Sequence, residues 1–382
     1  MLKMLYQLPV ETPAFIYEES RILAVAQAMA QAGRQSGCRM LYSIKALPFR
    51  PVLELLAPWV DGFSVSSLFE ARLAAPIGHP LHITTPGLRL QEVAEIGTLC
   101  DFVAFNSLQQ LARLQPTLGE RTSIGLRVNP GLSFLDDCRY DPCRVDSKLG
   151  VPLQELVHAL QQDCSLGELI KGLHFHTLFA AQSFEPMRRI LILIEEMLGK
   201  TFLSRLQWIN LGGGYLFESQ GDLTSLSNLA LDLRQRFGVD VYFEPGKALL
   251  GRAGCLVTAV IDCFRRNGKQ VAVLDTSINH HPEIFEYQRR PEPGWTELEQ
   301  GVAVILAGCT CLAGDVFGEY RVDRPLAVGD RLAFANVGAY SLIKANRFNG
   351  VNLPSVYFWD GAVGIKLIKR YNYEDYQTHW TL

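Results

Sequence analysis

The stretch Met40-Leu41-Tyr42-Ser43-Ile44-Lys45-Ala46 decides how the chain is parsed. The apolar residues ahead of the lysine predict a short buried strand that ends at Lys45. A lysine in such a place is hard to keep charged. Desolvation disfavours the ammonium, lowers its pKa and makes the amine a nucleophile able to condense with a carbonyl. The plainer alternative is a lysine that leaves the strand end and carries its amine out to water.

Outward from this strand, strand and helix patterns alternate. Residues 12–17 predict a short strand, and an amphipathic helix follows from about 18 to 35. Eight further strands are predicted over 39–45, 60–65, 81–85, 101–105, 123–128, 170–176, 206–211 and 239–244. Helical patterns lie between them, near 50–57, 67–75, 88–98, 107–115, 152–162, 185–198 and 225–237. Eight strands with intervening helices predict a parallel (β/α)8 barrel, an α/β fold of TIM-like type. Past residue 250 the pattern changes. Strands are predicted over Gly254–Phe264, Gln270–Asp275, Val302–Ala307, Asp330–Ala335, Ser355–Trp359 and Val363–Lys369, separated by turns such as Arg266-Asn267-Gly268. That is a C-terminal all-β, barrel-like domain. The expected division is a barrel over 25–250 and a β domain made of 1–24 with 251–382.

A chain of 382 residues is long enough for two such cores, and 48% hydrophobic with 20% charged residues is an ordinary globular balance. A net charge of −3 argues against general attraction to nucleic acid or anionic membrane. No apolar run is long enough to cross a bilayer, and Met1-Leu2-Lys3-Met4-Leu5-Tyr6 lacks the apolar core of a signal peptide. Nine scattered cysteines fit a reduced, cytoplasmic protein. Cys309-Thr310-Cys311 has no second ligand pair, so no structural zinc or other metal is expected.

In a barrel of this kind chemistry collects where the strands end. One predicted rim carries Lys45, Arg127-Val128-Asn129, His174-Phe175-His176, Gly212-Gly213-Gly214 and Glu244-Pro245-Gly246. Three glycines let backbone approach a ligand and offer N–H groups to an anion, or else make a tight turn. Glu244 is placed to pair with a protonated ring nitrogen, or to form a surface ion pair. His174 and His176 alternate with Phe175, so both imidazoles are expected on one side, to stack on a planar ring or to bind a metal. In the β domain, Cys311 and Asp315 share one loop. The thiol is a candidate proton donor and the carboxylate a candidate partner for a substrate ammonium. Tyr340 offers a hydroxyl to a phosphate. Either cysteine or tyrosine is equally a packed core residue.

With these residues in hand, the chain resembles the fold-type III pyridoxal-phosphate decarboxylases, whose barrel is of the alanine racemase type. The resemblance rests on Tyr42-Ser43-Ile44-Lys45-Ala46, Ser67-Leu68-Phe69-Glu70, Ser147-Lys148-Leu149-Gly150, His174-Phe175-His176, Gly212-Gly213-Gly214, Glu244-Pro245-Gly246, Cys311 with Asp315, and Gly338-Ala339-Tyr340. Tyr140-Asp141-Pro142-Cys143, Thr310-Cys311-Leu312-Ala313-Gly314-Asp315-Val316 and Phe348-Asn349-Gly350-Val351-Asn352-Leu353-Pro354 look closer to the carboxynorspermidine decarboxylase branch. The resemblance implies pyridoxal 5′-phosphate carried on Lys45, with His176 stacked on its ring and Glu244 facing the ring nitrogen. It implies a phosphate held by Gly212, Gly213, Gly214, Gly246 and Tyr340. Catalysis would fall to Lys45, Cys311 and His176, and substrate contact to Asp315, Asp275 and His280. It also implies a homodimer with shared active sites, Cys311 and Asp315 serving the partner subunit.

There are departures. Lys247 and Leu312 stand where diaminopimelate decarboxylases carry arginine and glutamate. Phe179-Ala180-Ala181 stands where carboxynorspermidine enzymes are expected to carry Cys-Glu-Gln, and His280-His281 replaces a single histidine. The expected function is decarboxylation of an α-amino acid bearing a second amine, carboxynorspermidine or carboxyspermidine, in polyamine biosynthesis. Decarboxylation of another amino acid, racemisation on the same scaffold, a non-catalytic carrier of the cofactor and a metal-dependent barrel hydrolase are the alternatives.

Overall fold

Strand β1 (Ala14–Glu18) is followed by β2 (Arg39–Ser43), each a nearly continuous run of buried residues. In the computed structural model, which describes residues 8–135, 137–217, 220–362 and 364–381, Lys45 is not the last residue of that strand. β2 stops at Ser43, and Lys45 is the middle residue of a 3-10 turn, Ile44–Ala46. The turn arises because the backbone of Ser43 is tied sideways, its N–H donating to the carbonyl of Pro245 at 3.0 Å. The hexapeptide at the start of the chain and the predicted strand residue Val363 lie outside the described residues.

Contacts divide the chain into two units, Val25–Ala248 and Met1–Ala24 with Leu249–Leu382. The first is a closed parallel barrel. After β2 come β3 (Gly62–Val65), β4 (Leu81–Thr84), β5 (Phe102–Phe105) and β6 (Ser123–Asn129), then a two-residue strand β7 (Val151–Pro152) paired to β6. β8 (Gly172–His174), β9 (Trp208–Asn210) and β10 (Asp240–Phe243) complete the ring. β10 pairs with β2 and β5 with β6, all parallel, so the eight main strands have no free edge. The predicted helices form between them, for example Leu90–Leu99, Leu153–Gln162 and Glu185–Leu198. Ser67 and Ser107 accept from the backbone N–H of Glu70 and Gln110 and so fix two of the helix starts.

The barrel interior is filled, and two glycines show how tightly. A Cβ on Gly172 would lie 2.0 Å from the Trp208 ring, and one on Gly125 2.4 Å from it. The indole therefore occupies the volume that two side chains would otherwise take, and its N–H donates to Ser123 at 2.9 Å. Phe102, Tyr242 and Leu41 pack around it with a buried histidine, His82, stacked on Phe102 at 3.9 Å. This aromatic layer is the floor on which the rim residues rest.

The second unit is a mixed sheet. β11 (Gly254–Arg266) pairs with β1 on one side and β12 (Lys269–Leu274) on the other. β13 (Val302–Ala307), β14 (Val316–Val322), β15 (Arg331–Phe334), β16 (Ser355–Trp359) and β17 (Ile365–Lys369) complete it, with β1 lying between β11 and β16. β14 was not expected from the sequence. Its central Gly318-Glu319 breaks the apolar run, and pairing to β13 supplies the order that local pattern does not.

Candidate active site

Parallel register explains why distant residues meet. Arg127 on β6, His174 on β8 and Asn210 on β9 are aligned across neighbouring strands, so their side chains leave the sheet on the same face. Glu244 follows β10, the next strand round, and Lys45 follows β2, the one after that. The residues expected on one rim are thus brought together from five strands.

Glu244 is the electrostatic centre. It is buried, and its Oε1 accepts from the Asn210 amide at 2.8 Å while Oε2 lies 3.4 Å from His174 Nε2. Burial alone would raise its pKa. The hydrogen bond from His174 and the nearby Lys45 outweigh burial and hold the carboxyl below the usual range, so Glu244 is an anion at neutral pH. A carboxylate only accepts, so His174 is its Nε2–H tautomer, and burial keeps that imidazole neutral despite the adjacent charge. His176 also stays neutral, because burial and the neighbouring Lys45 and Arg127 cations all oppose its protonation. Its Nδ1 accepts from the Gly213 N–H at 3.2 Å, which leaves Nε2 carrying the proton.

Lys45 behaves as the sequence argument requires. Desolvation lowers its pKa, and the nearby Glu244 only partly counters this. The lysine reaches into a cavity of about 460 Å³, so its contact with solvent is not negligible; the protein atoms enclosing it on most sides are what desolvate the amine. Arg127 shares that cavity, is pushed down to about 10 by burial yet remains cationic, and donates from Nη2 to the carbonyl of His176 at 3.3 Å. Glu70 is raised by burial and feels Lys45, and its Oε2 accepts from the Ser66 N–H at 2.7 Å.

The glycine run is tighter than the sequence suggested. The N–H of Gly212 donates to Asn210 Oδ1 at 2.8 Å and that of Gly213 to His176, so two of the three are already committed. The glycines are required by packing. A Cβ on Gly212 would stand 2.1 Å from the Phe175 carbonyl and one on Gly214 2.1 Å from that of Leu178, both at positive φ. Gly246 packs on Ala46 and Ser43, where an added Cβ would come within 3.1 Å. This close approach sets the Glu244-Pro245-Gly246 run against the lysine turn.

The remaining candidates lie in the sheet unit. Cys311 is exposed, and its N–H donates to Asn349 Oδ1 at 2.8 Å. Asp315 is buried, and its carboxylate ties its own loop to a distant turn, accepting from the Thr310 N–H and hydroxyl and from the N–H of Ile278. Asp275 likewise accepts from Thr258 and Ala259 within the sheet. His280 is buried beside Thr276 and is pushed down to about 4, first by desolvation. Tyr340 adopts a left-handed φ of 62°. The sequence pointed to the strand ends but did not single out Arg127, Asn210, His174 or Glu70 as a working set. For Arg127 and His174 the signal lay in their places at strand ends; Asn210 gave none, because only register sets it beside Glu244. Among the described residues no group of His, Cys, Asp or Glu is arranged to hold a metal, and no helix is long and apolar enough to cross a membrane.

A depressed lysine amine, a carboxylate kept anionic, a neutral imidazole and a cavity beside them fit an aromatic aldehyde with a basic ring nitrogen. The family model "Pyridoxal-dependent decarboxylase, C-terminal sheet domain" matches residues 14–338. The chain belongs to the pyridoxal-dependent decarboxylases, fold-type III enzymes with a barrel and a sheet domain, and its cofactor is pyridoxal 5′-phosphate. Among its relatives, the carboxynorspermidine/carboxyspermidine decarboxylase of Campylobacter jejuni subsp. jejuni is 32% identical, with 96% of this chain and 98% of the relative covered. The carboxyaminopropylagmatine decarboxylase of Synechocystis sp. is also 32% identical, over 96% of this chain and 94% of the relative. The crystal structure of carboxynorspermidine decarboxylase complexed with norspermidine from Campylobacter jejuni superposes with a TM-score of 0.86 at 29% identity, covering 97% of this chain and 100% of that one.

Proposed function

We propose that the protein removes the α-carboxylate from an amine-bearing α-amino acid of the carboxynorspermidine and carboxyspermidine class, in polyamine biosynthesis. The observation that carries the chemistry is the placement of Lys45 and an ionised, internally braced Glu244 just past two adjacent barrel strands, each feeling the other's charge. Full-length similarity to relatives with that named activity supports the substrate class. The domain assignment is a barrel over 25–250 and a sheet domain from 1–24 with 251–382.

The cofactor, when bound, supplies a ring that takes up the electron pair left by departing carbon dioxide. The protein residues make that possible. Lys45 holds the cofactor, and its depressed pKa keeps the amine available as nucleophile and base. Glu244, anchored by Asn210 and His174, keeps a proton on the ring nitrogen. His176 supports the ring face, and Arg127 holds the His176 backbone in place. Gly214, with Gly212, Gly213, Gly246 and Tyr340 shaping the approach, takes the phosphate. Cys311 delivers a proton to the α-carbon. Asp315, Asp275 and His280 act on the substrate side. Through its internal bonds Asp315 ties the Cys311 loop to Ile278, and Asp275 braces the sheet. The protein works as a homodimer, Cys311 serving the partner's site, in the cytoplasm.

The test is direct. Purified protein is expected to absorb in the visible, and borohydride is expected to fix the cofactor to the peptide containing Lys45. Carbon dioxide release from carboxynorspermidine follows. Label on another peptide refutes the site; inversion at the α-carbon with the carboxylate retained makes the protein a racemase.

A further inference from the structure

Ser43 Oγ, His82 Nε2 and His174 Nδ1 are buried in the barrel and have no hydrogen-bond partner among the described residues. Register relates the first two. Ser43, Ser64 and His82 are aligned across β2, β3 and β4, so their side chains leave the sheet on one face. That face is the inner one, because the His82 ring packs on Phe102, Tyr242 and Trp208. His174 reaches the same interior from β8 and turns its Nε2 to Glu244, so its Nδ1 faces away from the carboxylate. His82 lies close enough for both to act on it: the Glu244 charge favours its protonation and His174 opposes it. Ser43 borders the same residues. Its N–H donates to the Pro245 carbonyl, and its Cβ lies 3.4 Å from where a Cβ on Gly246 would stand.

A buried polar atom without a partner is costly, and buried water, with about three hydrogen bonds each, commonly satisfies such atoms. A phenylalanine at position 82 would fill the same layer and leave no polar atom to satisfy, so packing does not account for the imidazole. We propose that one buried water joins the three atoms, donating to His174 Nδ1 and held by His82 Nε2 and Ser43 Oγ, and that His82 is thereby a positioning residue for Glu244. Glu244 accepts from His174 only while that ring carries its proton on Nε2. A donor on Nδ1 blocks the other tautomer and fixes the ring plane. Without it His174 is free to move its proton to Nδ1 or to turn from the carboxylate, and Glu244 is left with the Asn210 amide. A carboxylate with one donor fewer holds a proton more tightly. A proton taken by Glu244 is lost to the ring nitrogen of the cofactor, which then takes up electrons less well. This rests on the decarboxylase chemistry proposed above, which gave His82 no part.

A crystal structure of the holoenzyme reads the water directly, with density expected within about 3.2 Å of all three atoms. Nitrogen-15 NMR of histidine-labelled holoenzyme is expected to show His174 protonated on Nε2 alone. His82→Phe keeps the stack on Phe102 and removes the polar atom. It is expected to retain cofactor, read from visible absorbance, and to show His174 in both tautomers. Its kcat is expected to fall about tenfold with KM unchanged. His82→Gln restores a polar group and is expected to bring kcat back to within about threefold of wild type. A purely structural His82 would change stability without moving the His174 signals. Well-ordered density with no water between the three atoms, a His174 proton on Nδ1, or wild-type His174 signals in His82→Phe each overturns the inference. The first two are read on the wild-type protein and stand whether or not a variant folds. If the wild-type protein releases no carbon dioxide, the decarboxylase assignment falls, and the water and the His174 tautomer still decide this inference by themselves.

Discussion

Asn210 is the residue whose loss the geometry judges most severely. It is 1% exposed, its Nδ2 donates to Glu244 Oε1 at 2.8 Å, and its Oδ1 accepts from the buried Gly212 N–H at 2.8 Å. Asn210→Ala breaks both bonds at once. A hydrogen bond to an ionised group contributes about 1.5–3 kcal/mol, and a buried N–H left unpaired costs about 1–3 kcal/mol. The two losses share one side chain and do not simply add, which gives a destabilisation of about 3–5 kcal/mol. For a unit of the barrel's size this corresponds to a Tm lower by about 6–20 °C in a calorimetric scan of cofactor-loaded protein. Asn210→Asp separates the two bonds. It keeps an acceptor for Gly212 but sets a second carboxylate against Glu244, so one of the pair must be protonated in the fold and its pKa is raised. A raised folded-state acid is most favourable at low pH and loses its contribution as pH rises through that pKa. Asn210→Asp is therefore expected to lose more Tm at pH 8 than at pH 5, whereas the deficit of Asn210→Ala is nearly constant. An Asn210→Ala protein within about 1 kcal/mol of wild type, with unchanged turnover, would refute the claim that this amide braces both Glu244 and the glycine turn.

Glu244→Gln is expected to retain cofactor but lose activity about a hundredfold, a barrier increase of about 3 kcal/mol, because an amide contacts a ring nitrogen without keeping it protonated. Unchanged kcat at saturating cofactor removes Glu244 from that role. His82 is pushed down to about 3, first by burial, and so folds as the neutral ring. The unfolded chain binds the proton the native state refuses, so stability present above pH 6.5 falls on acidification toward pH 3, by about 1.4 kcal/mol per pH unit for each such histidine. His82→Phe keeps the stack on Phe102 and is expected to flatten the loss of Tm between pH 7 and 5; an identical slope shows that other groups govern it. Mixing Lys45→Ala with Cys311→Ala protein under subunit exchange is expected to restore about a quarter of wild-type activity, since half the dimers are mixed and each mixed dimer has one intact site. No recovery despite demonstrated exchange places Cys311 in the same subunit as its Lys45 or outside the site.

Local pattern was enough to find the barrel. Runs such as Leu81-His82-Ile83-Thr84 and Phe102-Val103-Ala104-Phe105 are short, apolar and separated by helices, the pattern of a parallel sheet covered on both faces, and eight of them fit a closed barrel. The rim was legible for the same reason, since Lys45, His176 and Glu244 each end a predicted strand and the glycine run follows one. What local pattern could not supply is the pairing between strands. Asn210 looks like any polar strand residue until β9 is set beside β10, and His82 looks like a solvent-facing alternation until Phe102, Trp208 and Tyr242 close over it. β14 went unseen because Gly318-Glu319 interrupts its apolar run and its order comes from β13.

The sequence by itself determined the alternation of elements, the lysine beside a strand end and the order of the rim residues, because these depend on residue type and spacing along one strand. Only the tertiary structure decided which side chains share a charge. Whether Glu244 is an anion, whether His174 and His176 stay neutral, and which backbone N–H groups the Asp315 carboxylate accepts from depend on burial and on neighbours tens of residues away. Electrostatic energy depends on distance and desolvation in space, and neither is encoded at a fixed spacing in the chain.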